Sequence, residues 1–474
     1  MTAPADMPPE VVCLDATQAD AAPRATSFLD ATQADAAPRA TSLLDAAQAD
    51  AAPRAAWLLG ALCRACLVAA AASGCGDNLP GEGPALAMAD TLVVIAHLDD
   101  DLIFMQPEIH AAVASGSVTT VYVSSGDPVK GDDNAEHTFE AAMMAYAAVA
   151  GSSDWDCGYQ LVAGSPVHHC RLRDRPVSMI GLDTADGAPD GQYVESPLHL
   201  VENLVPSISI LGPIRGRATV DSITASLAEL ITATAPAQIH TLDLAATHGE
   251  DHSGHLFAAT FALWSAARAR YDGPIRWHRG YNVDGDAINL SDADYALVKP
   301  MLGYFEACYF GCGPCGTSCA TLVPGHDTDV RRQYSSLRSP LDAQGALALE
   351  GTGPCVTATA AGELVLGACS GAAMLQLDPA GHLALGDRCL ASPPSNGDPV
   401  VLEPCQDIAS QYWVIDSDGM VWNGRPPVAT ANMAFDHVRC LAAAAATGAP
   451  ATSPITAPIC GAHLHPHWRF VAGP

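Results

Sequence analysis

The sequence predicts an α/β domain built on a mostly parallel sheet, followed by a smaller all-β module. Three observations carry this expectation. Apolar, β-branched runs such as Thr91-Leu92-Val93-Val94-Ile95 alternate with helix-length segments between residues 91 and 310. From Gly351 the texture changes to short strands, Gly/Pro turns and evenly placed cysteine pairs. The chain has 474 residues, room for two or three domains, and its 49% hydrophobic residues can supply their cores.

Charge and cysteine content narrow the classes of function. Against 52 Asp+Glu stand 22 Lys+Arg, a formal net charge of −30. Such a surface repels phosphate backbones and anionic membranes, which argues against nucleic-acid binding as the main function. Charged residues at 16% are too few for a mostly disordered chain. The 16 cysteines fall largely into close pairs, which points to disulfides and an oxidising compartment.

In chain order, residues 1–54 are dominated by a 15-residue repeat that runs over 14–58, beginning LDATQADAAPRATSF. Each copy carries a helix-breaking proline (Pro23, Pro38, Pro53), so the stretch reads as disordered low-complexity sequence. Residues 55–75, AAWLLGALCRACLVAAAASGC, are apolar and follow Arg54. The runs on either side of Arg64 are short for a transmembrane helix, and the small-residue ending fits a signal peptide. Ala72-Ser73-Gly74-Cys75 resembles a bacterial lipobox, with Ala72 where Leu is usual. The expectation is an exported bacterial protein, either anchored in the membrane through a lipid at Cys75 or secreted or periplasmic after cleavage. A start codon assigned too far upstream would account for the residues ahead of the expected signal. The Gly/Pro-rich stretch 76–90 reads as a linker.

The segment 91–320 carries the chemistry. The strand 91–95 runs directly into Ala96-His97-Leu98-Asp99-Asp100-Asp101, and a second strand, SVTTVYVSS (117–125), ends at Gly126-Asp127. A helix is expected around 136–150, then a looped insert with Cys157 and Cys170. A helix at 222–234, a strand at 239–247 and an apolar helix at 255–271 follow. Parallel sheets bind ligands at the carboxyl ends of their strands. Both polar clusters of the segment lie there: HLDDD, and His248-Gly-Glu-Asp-His252-Ser-Gly-His255. One His with carboxylates, joined by a distant His-x-x-His, makes a sensible shell for Zn²⁺, which in hydrolases takes three protein ligands and leaves a position for water. A neighbouring carboxylate can then take the water's proton, and a second imidazole can protonate the leaving group. Taken singly, three aspartates read as a solvated turn and His-x-x-His as a helix cap; two such clusters at two strand ends favour the metal site.

His97-Leu98-Asp99-Asp100-Asp101 resembles the AHPDDE motif of the PIG-L/LmbE-like deacetylases, which remove acetyl groups from N-acetylglucosamine-type amides. Asp251-His252-Ser253-Gly254-His255 resembles that family's second motif, His-x-[Asp/Asn]-His, and AYAAVAGSSDW (145–155), IHTLDL (239–244) and RGYNV (279–283) extend the likeness over roughly 91–310. The resemblance implies a Rossmann-like sheet and zinc held by His97, Asp100 and His255. It implies Asp99 as general base, and His252 as oxyanion stabiliser and general acid. Three positions depart from the pattern: Leu98 replaces Pro, Asp101 replaces Glu, and Gly254 replaces Asp/Asn. An Arg common at the start of the 136–150 helix is missing, with His137 and Glu140 nearby.

Cys308, Cys312, Cys315 and Cys319 are spaced for a structural zinc or for two local disulfides, and export favours disulfides. Residues 321–345 read as a second linker. From 346 to 474, the pairs Cys355/Cys369, Cys389/Cys405 and Cys440/Cys460, two Cys-Leu openings (Cys389, Cys440) and the endings MLQL, QYW and PHW argue for a threefold all-β unit. Gln411-x-Trp413 with the Cys-Leu openings resembles the ricin-type β-trefoil lectins, which implies a polysaccharide ligand. Ala391 and Ala442 stand where that family commonly has a sugar-binding Asp.

The sequence therefore points to an exported zinc deacetylase of N-acetylated saccharides or glycoconjugates, carrying a carbohydrate-targeting module. The competing reading is a lectin-like binding protein whose deacetylase domain has decayed.

Overall fold

The computed structural model describes residues 83–472 except 127–128, 190, 245–250, 339–340, 342, 350–352, 425–438, 444–452 and 460–465. The 14–58 repeat, the apolar segment with Cys75, His248 and Cys460 lie outside the described residues.

Strand β1 (Thr91–Ile95) is buried along its whole length, as a central strand covered on both faces must be. Together with β2 (Val118–Gly126), β5 (Val177–Ala185), β8 (Gln238–Leu242) and β9 (Ile275–His278) it forms a parallel core in the order β9-β8-β1-β2-β5. The chain leaves β1 toward β2 on one side and returns to β8 on the other, so a crevice opens at the carboxyl end of β1.

Antiparallel strands extend both edges. The insert expected as a loop is a hairpin, β3 (Trp155–Val162) and β4 (Ser165–Leu172), which pairs with β5. Its Cys157 and Cys170 face each other in register and form a disulfide. The hairpin escaped the sequence pattern because most of β3 is half-exposed and shows no apolar alternation. Short strands β6 (Ile208–Ile210) and β7 (Gly216–Ala218) follow β5.

Among the helices, α1 (Asp100–Phe104) follows β1 at once, and α2 (Glu108–Ser115) leads into β2. The helix expected near 136 starts earlier, as α3 (Asp132–Ala150), and stops at Gly151 in the left-handed conformation, φ 67°. A single turn, α4 (Pro197–Val201), precedes α5 (Val220–Thr234), whose Thr219 and Ser222 form a reciprocal capping box. Helix α6 (Ser253–Arg268) packs on α5, and α7 (Asp292–Tyr309) packs on α3.

Disulfides Cys308–Cys315 and Cys312–Cys319 staple the turn after α7. The stretch read as a linker is folded: it carries α8 (Pro324–Asp329) and β10 (Ser335–Leu337), which pairs with β9.

The C-terminal module is antiparallel throughout its described strands. One backbone bond recurs three times: Leu377 N to Ala343 O at 2.9 Å, Trp413 N to Gly381 O at 2.7 Å and Trp468 N to Gly419 O at 2.6 Å. In two of the units the indole also donates to the carbonyl of the Cys-Leu leucine, Trp413 to Leu390 and Trp468 to Leu441. All three anchors are buried in one shared core. Cys355–Cys369 and Cys389–Cys405 are disulfides within their units, and Cys440 is also disulfide-bonded. Tyr412, Val414, Met420 and Trp422 of the module join the core of the α/β domain, and the Trp264 indole donates to Gly424 O at 2.8 Å. The module is thus fixed on the domain rather than tethered to it.

Candidate active site

Residues at or beyond the carboxyl ends of β1, β2, β5 and β8 line a pocket of about 640 Å³. His97 and Asp99 come from β1, Gly126 from β2, Asp186 from β5, and Asp251 with His252 from the segment after β8. Tyr281, Phe305 and Tyr309 supply an aromatic wall.

Asp100 opens α1 and is fully buried. Its Oδ2 accepts from the His97 backbone N–H at 2.7 Å, which folds the turn back on itself. Its Oδ1 lies 3.3 Å from His97 Nδ1 and 3.0 Å from His255 Nε2. His97, Asp100 and His255 therefore converge across 155 residues of chain, with donor atoms within 4.8 Å of one another. Burial would push Asp100 up, but the charges of His255 and His97 hold it well below the usual carboxylate range. Burial likewise opposes charge on His255, yet Asp251 and Asp100 raise it to about 10.

Two further carboxylates back the imidazoles. Asp251 Oδ1 sits 2.8 Å from His255 Nδ1 and accepts from the backbone N–H groups of His252 and Tyr281. Asp186 Oδ1 is 3.5 Å from His97 Nε2, and that buried nitrogen makes no hydrogen bond. Asp186 is held at about 2: burial raises it, but His97 outweighs burial. His97 Nδ1, the Asp100 carboxylate between the two rings and His255 Nε2 are donors that a divalent cation satisfies, with Asp251 on the far nitrogen of His255 and Asp186 beside the far nitrogen of His97. His97, Asp100 and His255 thus fit a metal.

Asp99 lines the pocket without entering the Asp100 cluster, and burial with the neighbouring Asp100 charge raises it. His252 is the N-cap of α6: its Nδ1 accepts from the Gly254 N–H at 3.0 Å. The helix-cap reading of His-x-x-His is therefore correct in part, and it leaves the proton on Nε2 in the neutral ring. Burial, reinforced by His97, lowers His252 to about 3, so the ring is neutral at physiological pH.

Asp101 points elsewhere. It is buried, accepts from the Tyr146 hydroxyl, and burial raises it to about 8. His137, near the position of the missing Arg, reaches the Cys308 carbonyl instead of the pocket. Lys130 is the one Lys or Arg among the lining residues.

Sequence reasoning missed Asp186, a lone acid after a strand with no motif around it. Asp251 and the RGYNV segment have no role that their sequence alone assigns. In the fold, Tyr281 stacks on His255 with ring centroids 5.4 Å apart, and Gly280 lies against the Asp251–His255 pair. A Cβ on Gly280 would fall 2.2 Å from His255 Nδ1.

Comparison with known proteins agrees with this geometry. Residues 92–266 match the family described as PIG-L: GlcNAc-PI de-N-acetylase. No curated protein matches the chain. Among solved structures, similarity is found to a non-toxic homologue of type II RIPs from Momordica charantia (bitter gourd), in complex with α-methyl-D-galactoside. The identity is 20% and the TM-score 0.19, with 28% of this chain covered. The match spans 48% of that protein, so the chain covers about half of its length.

Proposed function

We propose that residues 92–266, which match the PIG-L family, form a zinc-dependent hydrolase removing the acetyl group from N-acetylglucosamine-type sugars or glycoconjugates. The observation that carries this reading is the convergence of His97, Asp100 and His255 on one point, with Asp99 and His252 facing the same pocket.

Zinc, when bound, supplies a Lewis acid and an acidified water. The rest belongs to the chain. Asp99 takes a proton from the attacking water, and its raised pKa suits it to that task. His252 donates from Nε2 to the carbonyl oxygen as negative charge builds there, because its Nδ1 is committed to Gly254. The proton that the departing amine needs as the C–N bond breaks is the one Asp99 took from the water, because a neutral His252 that gave up its Nε2 proton would be left as an imidazolate. Asp251 and Asp186 hold the two ligating rings in orientation. Tyr281, Phe305 and Tyr309 give the apolar face of a sugar ring a wall to pack on.

The disulfides support an exported location, with Cys75 as the point of lipid attachment. The Cys-Leu and Gln-x-Trp repeats support a carbohydrate-targeting role for the C-terminal module, which raises effective substrate concentration when both parts engage one glycan.

Metal analysis of the purified chain, followed by acetate release from a panel of N-acetylated saccharides, tests the proposal. Stoichiometric zinc and one acetate per cleaved amide are expected. A folded, zinc-loaded chain that releases no acetate from any member overturns it.

A further inference from the structure

Glu306 of α7 and His326 of α8 lie outside residues 92–266, which match the family, and the mechanism above gives them no part. We propose that His326, held by Glu306, is a positioning residue for Asp99: its imidazolium steadies the carboxylate that takes the proton from the attacking water. The role rests on the reading of Asp99 as general base.

The geometry begins at Glu306, which is fully buried. Its Oε2 accepts from the Val323 backbone N–H at 2.9 Å, where α8 starts, and its Oε1 lies 2.8 Å from His326 Nδ1. A buried carboxylate is costly unless it is paired and hydrogen-bonded, so one side chain fixes both the helix and the ring. Phe305 and Tyr309, beside Glu306 and one turn along α7, line the active-site pocket together with Asp99. Helix α8 in turn packs on α1, which begins directly after Asp99. With Nδ1 committed to Glu306, Nε2 is the donor that remains, and no hydrogen bond reaches it among the described residues.

The charges around the ring single out Asp99. Those that act on His326 are Asp99 at the head of α1, Glu306 of α7 and Asp329 of α8 itself, all acids. Asp329 has a cation of its own, Arg332 at 3.7 Å. Burial opposes charge on His326, yet the Glu306 hydrogen bond and then the Asp99 charge raise it, which favours the imidazolium. The influence is mutual. Burial and Asp100 raise Asp99, and among the charges that lower it His326 outweighs His97, only two residues away. A cation placed there offsets the repulsion between the adjacent carboxylates of Asp99 and Asp100, which otherwise drives Asp99 out of position.

The test uses the zinc-loaded full chain with isotope-labelled histidine. The His326 signal, identified by its loss in His326→Gln, is followed by NMR against pH. In Asp99→Asn it should titrate about one pH unit lower, because an opposing charge has gone. An unmoved titration overturns the proposal whatever the activity. Turnover is the second readout. His326→Gln keeps a donor for Glu306 without the charge, so it should hold zinc and KM and lose kcat by about tenfold or more. In the Asp99→Asn background the same substitution should cost nothing further, since its effect passes through Asp99. Equal losses in both backgrounds would mark His326 as structural and overturn the proposal. A parent chain that releases no acetate, with the NMR shift intact, would instead strike the deacetylase reading and leave the His326–Asp99 pairing standing.

Discussion

Gly254 lies directly beneath the His97 ring: a Cβ built on it would sit 2.7 Å from His97 Cε1 and 2.8 Å from Nε2. The PIG-L pattern has Asp or Asn at this position, so the departure and the placement of His97 belong together. Gly254→Ala and Gly254→Asp should push the ring off its position and weaken zinc binding by about 10–100-fold, the usual cost of disturbing a ligand's support. Zinc content after dialysis reads this directly. Either variant holding zinc as the parent does would show that the ring can move without consequence.

His97→Ala and His255→Ala should each abolish stoichiometric zinc, because two remaining donors do not hold the ion in a three-ligand site. Unchanged zinc affinity in either variant removes that residue from the ligand set.

Asp99 and Asp100 are adjacent but should not be interchangeable, since only Asp100 lies between the two imidazoles. Asp99→Asn should keep zinc and lose turnover by about 10²–10⁴-fold. Asp100→Asn should lose zinc first, with activity partly restored by excess metal. His252→Ala should keep zinc and slow turnover by about 10²–10³-fold. Loss of metal from Asp99→Asn with retention by Asp100→Asn would reverse the two roles.

Stability should fall on mild acidification. His240 and His278 are buried at 1% and 2% exposure, with His240 Nδ1 2.9 Å from His278 Nε2. Burial, with a smaller contribution from Arg276, lowers His240 to about 4; burial and its partner lower His278 further. The unfolded chain titrates near pH 6.5, so between about 6.5 and 4 it binds protons that the folded pair resists. The stability is intact above about pH 6.5 and is lost as pH falls toward 4. The melting temperature should drop across this window, and the double variant His240→Leu/His278→Leu should flatten the drop. Parallel curves for parent and variant would exclude the pair as the cause. His168 and His169, also lowered to about 4 by burial, add to the fall, while Asp101 and Asp183, raised by burial to about 8 and about 7, oppose it.

Peptide mapping without reduction should recover Cys355–Cys369 and Cys389–Cys405, whose loops span 14 and 16 residues. Removing either bond should cost about 3 kcal/mol by loop-closure arithmetic. Free thiols at these positions, or bonds between units, would refute the threefold organisation of the module.

Much of the outline was legible in the chain. β1 is apolar end to end because it is buried on both faces, and its abrupt change to HLDDD marks the carboxyl end where α/β sheets place ligands. His97, Asp100, His252 and His255 could be named because two short motifs preserve the local spacing that a strand end and a first helical turn require. The Cys-Leu and Trp repeats announced the module, since each indole must find a buried carbonyl.

Tertiary structure alone decided the rest. Asp186 reaches His97 across 89 residues, and nothing in its neighbourhood distinguishes it from a solvated acid. Gly254 and Gly280 matter through what presses against them, which a glycine's own letter does not reveal. The β3–β4 hairpin and β10 are half-exposed edge elements without an apolar run, so they became strands by pairing with a sheet already in place. The docking of the C-terminal module through Trp264 and Gly424 joins two separately patterned cores, which no local periodicity announces. Local periodicity encodes which face of an element is buried; which distant face it meets is set by packing.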